Sequence, residues 1–169
     1  MNTEKISLSE LDAIIFDFDG VLTDNRVLVD QEGREWVSCH RGDGLAFDVF
    51  RKLGVLVYIL STEKNPVVSA RAKKLKVPVL QGINDKVETL TELTKEKNLK
   101  FDKLLYVGND LNDLGAMNLC GYSACPADSH SEIKSLSTVV LKSNGGTGIA
   151  RELLENILNV NIASILYSK

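Results

Sequence analysis

Leu11-Asp12-Ala13-Ile14-Ile15-Phe16-Asp17-Phe18-Asp19-Gly20 sets how the rest of the chain is read. An uninterrupted apolar run, Ala13 to Phe16, passes directly into two aspartates one residue apart and a glycine. A segment apolar at every position is buried on both faces, the habit of a strand inside a parallel sheet covered by helices. The theme recurs outward from it. Strands are predicted at residues 11–16, 55–60, 77–80, 104–107 and 139–141, and helices at 44–53, 66–75, 85–97, 110–119 and 148–158. This alternation predicts an α/β fold, a doubly wound, Rossmann-like parallel sheet. One segment breaks the rhythm: residues 26–30 and 34–38 flank Gln31-Glu32-Gly33 as the arms of a β-hairpin projecting after the first strand.

The 169 residues suit a single domain spanning 1–169, with room for one core and no need of staples. A formal charge of −3 supplies no basic field, so nucleic acid is not an expected partner. No apolar run approaches the roughly 20 residues that cross a bilayer, and the polar segment Met1 to Glu10 lacks the apolar centre of a signal peptide. Cys39, Cys120 and Cys125 are odd in number and without CxxC spacing, as reduced thiols are, and the chain is read as cytoplasmic.

Ligands of open parallel sheets bind beyond the carboxyl ends of the strands. The residues at those ends are polar: Asp17-Phe18-Asp19-Gly20 after the first strand, Ser61-Thr62-Glu63-Lys64 after the second, and Gly108-Asn109-Asp110-Leu111-Asn112-Asp113 after the fourth, with Lys86 opening the helix after the third. If the extended backbone continues, Asp17 and Asp19 point to the same side, and two carboxylates so close call for a divalent cation. Magnesium accepts a few carboxylates together with waters and a phosphate, and it makes an anionic phosphate approachable by an anionic nucleophile. A calcium loop is excluded, because the fifth and sixth positions counted from Asp17 are Val21 and Leu22. Each element also has a plain reading: an Asp-Gly turn, a capping Ser61, a solvated Lys86, and caps for the helix at 110–119. Only their joint placement at strand ends favours chemistry.

Together, DFDGVLTD, Ser61, Lys86 and GNDLND resemble, in order and in placement, the four motifs of the haloacid dehalogenase superfamily of phosphotransferases. The resemblance implies that Asp17 is the nucleophile and a magnesium ligand. It implies that Asp19 is the acid and base and ligates through its carbonyl, and that Gly20, Ser61, Thr62 and Lys86 hold the phosphoryl group. Many relatives carry an aspartate ligand where this chain has Asn109. An amide oxygen ligates without adding charge, so Asp110 or Asp113 is kept as an alternative or supporting ligand.

Neither gap between the motifs has room for a cap domain, and the fold is expected without one. With the hairpin, Arg41-Gly42-Asp43-Gly44 and Asn144-Gly145-Gly146-Thr147-Gly148 followed by Arg151-Glu152, the chain resembles the capless tetrameric phosphatases of 3-deoxy-octulosonate 8-phosphate and of nine-carbon 2-keto-3-deoxy acids. That likeness implies a homotetramer in which hairpins close neighbouring sites, and a glycine-rich tail able to reach an adjoining site. Glu63, with Arg71 and Lys74 three apart on one helix face, resembles the nine-carbon branch, Arg71 offering a fork to a carboxylate. A 2-keto-3-deoxynonulosonate or N-acylneuraminate 9-phosphate is therefore the expected substrate, with octulosonate 8-phosphate as the alternative. A silent oligomerising module beside a sugar-activating enzyme, favoured only by Asn109, and a receiver domain, disfavoured by the DxDG on the first strand, are the rival classes.

Overall fold

The computed structural model describes residues 6–167, so the first five residues of the polar amino-terminal segment lie outside it. Strands β1 (Ala13–Phe16), β4 (Leu56–Ser61), β5 (Val79–Gln81), β6 (Leu104–Val107), β7 (Tyr122–Cys125) and β8 (Val139–Val140) form one sheet in the order β5-β4-β1-β6-β7-β8. Every pairing in it is parallel. A separate antiparallel pair, β2 (Leu28–Val29) with β3 (Glu35–Trp36), makes the hairpin. The helices are α1 (Arg41–Lys52), α2 (Val67–Leu75), α3 (Lys86–Lys97), α4 (Leu114–Leu119), α5 (Ser131–Leu136), α6 (Ile149–Glu152) and α7 (Ile162–Tyr167). Among the described residues no helix is long and apolar enough to cross a membrane.

Period-two alternation sends each strand into two cores. Ile14 and Phe16 of β1, Ile59 of β4 and Val107 of β6 pack with Phe47 and Phe50 of α1, Val68 and Ala72 of α2, and Ile149 and Leu153. Ala13, Ile15, Leu60 and Tyr106 face the opposite way, onto Leu90 and Leu93 of α3, Met117 of α4 and Ile133 of α5. Helices thus cover both faces, as the continuous apolar runs require, and β1 at the centre is fully buried. The chain leaves β1 for β4 on one side and reaches β6 on the other, so the crevice opens at the carboxyl end of β1.

Several sequence expectations shift in detail. Strand β1 stops at Phe16: the N–H groups of Leu22 and Thr23 both donate to the Phe18 carbonyl (2.9 and 3.1 Å), so Asp17 and Asp19 are brought together by a tight turn and not by continued strand. The helix predicted at 148–158 divides into α6 and a π-helical turn, Leu153–Ile157, and the one predicted at 110–119 begins as a 3-10 turn, Leu111–Asp113. Strand β7 and helices α5 and α7 carry no sequence expectation. The hairpin is shorter than predicted and is closed at its base by a Thr23–Cys39 bridge. Asp30 ties its turn by accepting from the N–H groups of Glu32 (2.9 Å) and Arg34 (3.0 Å), with Gly33 at φ 77° taking the left-handed position. Its apolar side chains face solvent in the single chain, Leu28 at 72% and Trp36 at 58% exposure.

Candidate active site

The turn after β1 carries the first two acidic groups. Asp17 is held from behind by its own N–H, which donates to the Val107 carbonyl (2.9 Å), and only 4% of the residue is exposed. Gly20 lets the turn close: its φ is 79°, and a Cβ there would lie 2.0 Å from the end of the Asn109 side chain.

Beneath the cavity sits a buried row of three charges. Lys86, placed on the first turn of α3 by the Asp85 cap, lies 2.8 Å from Asp17 Oδ1 and 2.6 Å from Asp113 Oδ1. Asp113 also accepts from Tyr106 OH (2.9 Å), and its Oδ2 from the Asn109 N–H (2.9 Å) and more loosely the Asp110 N–H (3.4 Å). Two carboxylates against one ammonium leave an excess negative charge. Burial first, then the Asp113 charge, push the Asp17 carboxyl up to about 7, against the pull of Lys86. Burial opposes the charge on Lys86, but Asp17 and Asp113 outweigh it and hold its pKa above the ordinary lysine value. Asp19 is half-buried and raised as well, by burial and then by the Glu63 charge.

A divalent cation fits the donors gathered here. One terminal atom of the Asn109 carboxamide lies 2.8 Å from the Asp19 carbonyl oxygen and 3.2 Å from Asp17 Oδ2. With the amide oxygen turned inward, a carboxylate, a carbonyl and an amide oxygen converge on one point, the kind of sparse oxygen set that magnesium completes with water and phosphate. Among the described residues no three His, Cys, Asp or Glu side chains make a denser cage. Asp113 is fully buried and engaged by four donors, so it acts as the anchor of Lys86 and of the Asn109 backbone. Asp110 caps the 3-10 turn through the Leu111 N–H (2.7 Å) and stands at the cavity wall.

The cavity, about 350 Å³, is lined by Asp17, Asp19, Ser61, Thr62, Glu63 and Asn109, and also by Asn25, Asp110 and Asn112. Ser61 is buried at the end of β4 and accepts from the Glu63 N–H (3.1 Å), while Glu63 Oε1 accepts from the N–H groups of Lys64 (2.6 Å) and Asn65 (2.7 Å). Arg71 and Lys74 do not line this cavity: Arg71 donates to the His40 carbonyl (2.9 Å) and Lys74 is exposed on α2. Asn25, at φ 62°, is a wall residue without a sequence signal, while Asn112, also in the wall, falls within the GNDLND motif without a role implied for it by the resemblance. The glycine-rich segment lies against its own chain, where the Gly146 N–H donates to the Val21 carbonyl (3.0 Å) and the Gly145 N–H to Asp128 (2.9 Å). A wider groove of about 550 Å³ beside α7 gathers no pair of carboxylates.

This geometry has close relatives. The sequence profile of haloacid dehalogenase-like hydrolases matches residues 58–153. The chain belongs to that family. A hydrolase of the haloacid dehalogenase family from Streptomyces avermitilis superposes with a TM-score of 0.91 at 43% identity, covering 96% of this chain and 99% of the other. The 3-deoxy-D-manno-octulosonate 8-phosphate phosphatase of Haemophilus influenzae is 30% identical over 95% of this chain and 89% of its own length. The corresponding phosphatase from Moraxella catarrhalis, solved with magnesium, phosphate and the octulosonate sugar, gives a TM-score of 0.85 at 28% identity, covering 90% of this chain and 88% of its own. The N-acylneuraminate cytidylyltransferase A of Danio rerio is 28% identical over 86% of this chain, which spans only 34% of that longer protein. Among the described residues the haloacid dehalogenase fold therefore carries this site without a cap domain, at the strand ends of a helix-covered sheet with a hairpin beside it.

Proposed function

We propose that the protein is a magnesium-dependent phosphatase of a 2-keto-3-deoxy sugar acid phosphate, working through a phosphorylated Asp17. The observation that carries this is the buried row Asp17–Lys86–Asp113 beside Asp19 at the mouth of β1, which fixes one carboxylate in place and leaves a second able to hold a proton.

Asp17, anchored at Oδ1 by Lys86, attacks phosphorus as the bond from phosphorus to the sugar oxygen breaks. Asp19 delivers its proton to the departing sugar oxygen, and its raised pKa suits that task. Asp19 then takes a proton from water as the water attacks phosphorus, and the acyl phosphate breaks to phosphate and free Asp17. Ser61, Thr62, Gly20 and Lys86 hold the phosphoryl oxygens. Asp17, the Asp19 carbonyl and Asn109 would hold magnesium, which would supply positive charge to the phosphoryl oxygens.

For the sugar, Glu63 in the cavity wall favours a nine-carbon 2-keto-3-deoxynonulosonate or N-acylneuraminate 9-phosphate through its resemblance to the glutamate of the nine-carbon branch. The likeness to a neuraminate-activating enzyme supports this choice, and the likeness to octulosonate phosphatases supports the eight-carbon alternative. Arg71 and Lys74 do not line their own cavity, so a role for them at the sugar carboxylate requires a second subunit. A homotetramer supplies one, with the exposed hairpin residues Val27, Leu28, Val29 and Trp36 in its interfaces. The three free cysteines suit the reducing cytoplasm.

The test is phosphate release, with magnesium, from a panel holding both nine-carbon 9-phosphates, octulosonate 8-phosphate, simple sugar phosphates and an aryl phosphate. The nine-carbon substrates should show the highest kcat/KM, and Asp17→Asn should show none. Asp19→Asn should lose more on sugar phosphates than on the aryl ester, whose leaving group needs no proton. Turnover retained by Asp17→Asn overturns the mechanism. Preference for octulosonate 8-phosphate overturns the choice of sugar alone.

A further inference from the structure

Asn109 is buried and held at both its backbone N–H and its carbonyl. The residue is 7% exposed, its N–H donates to Asp113 Oδ2 (2.9 Å), and its carbonyl accepts from the His130 N–H (2.9 Å). With the backbone pinned, the carboxamide keeps one freedom, a turn about its last side-chain bond that exchanges nitrogen and oxygen. The atom facing the Asp19 carbonyl (2.8 Å) and Asp17 Oδ2 (3.2 Å) meets acceptors, so the protein's own hydrogen bonding assigns the nitrogen to that place. The other end of the amide sits over Gly20, where the missing Cβ leaves it room in either orientation.

We propose that Asn109 is a latch. Its Nδ2 bridges Asp17 and Asp19 when no cation lies between them, and cation binding requires the amide to turn over and present Oδ1. The inference rests on the metal site proposed above and adds to it a competition between amide and cation. Latched, both oxygens of the nucleophile are held, Oδ1 by Lys86 (2.8 Å) and Oδ2 by Asn109 (3.2 Å), so Asp17 stays in its attacking position before the cation arrives. An aspartate at 109 has no such alternative. Its two ends are both oxygens, and without a cation it would set a carboxylate against Asp17 and the Asp19 carbonyl. Asparagine thus gives weaker cation binding and a nucleophile ordered in the cation's absence.

The experiment follows the Asn109 side-chain amide of the ¹⁵N-labelled wild type by NMR during a Mg²⁺ titration, assigned by its loss in Asn109→Asp. Calorimetric Mg²⁺ binding and melting in EDTA are compared for wild type, Asn109→Asp and Asn109→Ala. The expected result is that Mg²⁺ shifts the Asn109 amide resonances and that both variants melt below wild type in EDTA. Asn109→Asp should also bind Mg²⁺ about tenfold or more tightly, ligand charge being the usual control of affinity in oxygen sites. If Mg²⁺ binds the wild type while the Asn109 amide does not respond, the latch is wrong and the metal site stands. If neither wild type nor Asn109→Asp binds Mg²⁺, the metal site itself is refuted and the latch with it.

Discussion

Asp17→Asn should make the protein more stable while destroying its activity. The Asp17 carboxyl is raised from 3.8 to about 7 in the folded chain, because burial and the Asp113 charge outweigh Lys86. At about 1.4 kcal/mol per pH unit, carrying that charge in the fold at pH 8 costs about 4 kcal/mol. The Asn109 hydrogen bond to the charged form returns about 1–2 kcal/mol, leaving about 2–3 kcal/mol to be recovered by an uncharged isostere. Lys86 keeps Asp113 at 2.6 Å, so no ammonium is stranded by the change. Because the folded pKa lies above the unfolded one, the folded chain holds the extra proton between about pH 4 and 7 and loses stability as the pH climbs through that window. The gain in Asp17→Asn should therefore be full at pH 8 and fall to about 1.5 kcal/mol at pH 5. In EDTA at pH 8 this is a rise in Tm of roughly 5–10 °C for a domain of this size. Thermal and guanidinium unfolding at both pH values measure it. An Asp17→Asn protein no more stable than wild type at pH 8, or a difference independent of pH, would show that the buried row is not electrostatically strained.

Asp113→Asn has the opposite sign. One amide cannot accept both from Lys86 and Tyr106 and from the Asn109 N–H, so guanidinium denaturation should show a loss of about 3–5 kcal/mol, and a loss under 1 kcal/mol would deny Asp113 its anchoring role. Gly20→Ala forces φ 79° on a residue with a Cβ and drives that Cβ into Asn109, so calorimetry should show Mg²⁺ affinity falling together with about 1–3 kcal/mol of stability. In the proposed metal site protons and cations compete for Asp17, so Mg²⁺ affinity should weaken as the pH falls through about 7, and calorimetry across pH 6–8 that found it constant would contradict the raised carboxyl. Replacing the hairpin residues 27–36 with a short turn should give monomers by light scattering and reduce turnover of the sugar phosphate more than of an aryl ester. An active wild-type monomer at assay concentration would remove the tetramer from the proposal.

Local sequence is enough to place what depends on strand ends. Asp17, Asp19, Ser61, Glu63 and Asn109 fall at the crevice because each comes just after a strand of the parallel sheet or closes one, and the apolar runs announce those strands. Strand β7 is different: Tyr122-Ser123-Ala124-Cys125 has no continuous apolar signal, and its polar member is satisfied only in the fold, where Ser123 and Thr138 exchange hydrogen bonds (3.1 Å each). Spacing also cannot divide labour within Gly108-Asn109-Asp110-Leu111-Asn112-Asp113. Which acid turns inward depends on Lys86 and Tyr106 arriving from α3 and β6. The three-residue separation of Arg71 and Lys74 is legible as one helix face, but where α2 points that face is set by Val68, Ala72 and Leu75 docking into the core.

The contact of Gly145 and Gly146 with the turn at 20–24 ties chemistry to the timetable of synthesis. A Cβ on Gly146 would stand 2.4 Å from the Asp24 nitrogen, and the Gly146 N–H reaches the Val21 carbonyl, so this strap fits the turn that carries Asp19 closely. A ribosome delivers Asp17 and Asp19 early and the strap late, an interval on the order of ten seconds at about 5–20 residues per second. Asp113, the anchor of Lys86, also emerges well after Asp17. Throughout that interval the nascent chain carries Asp17 without the groups that hold it in place, so the proposed site is assembled only late in synthesis.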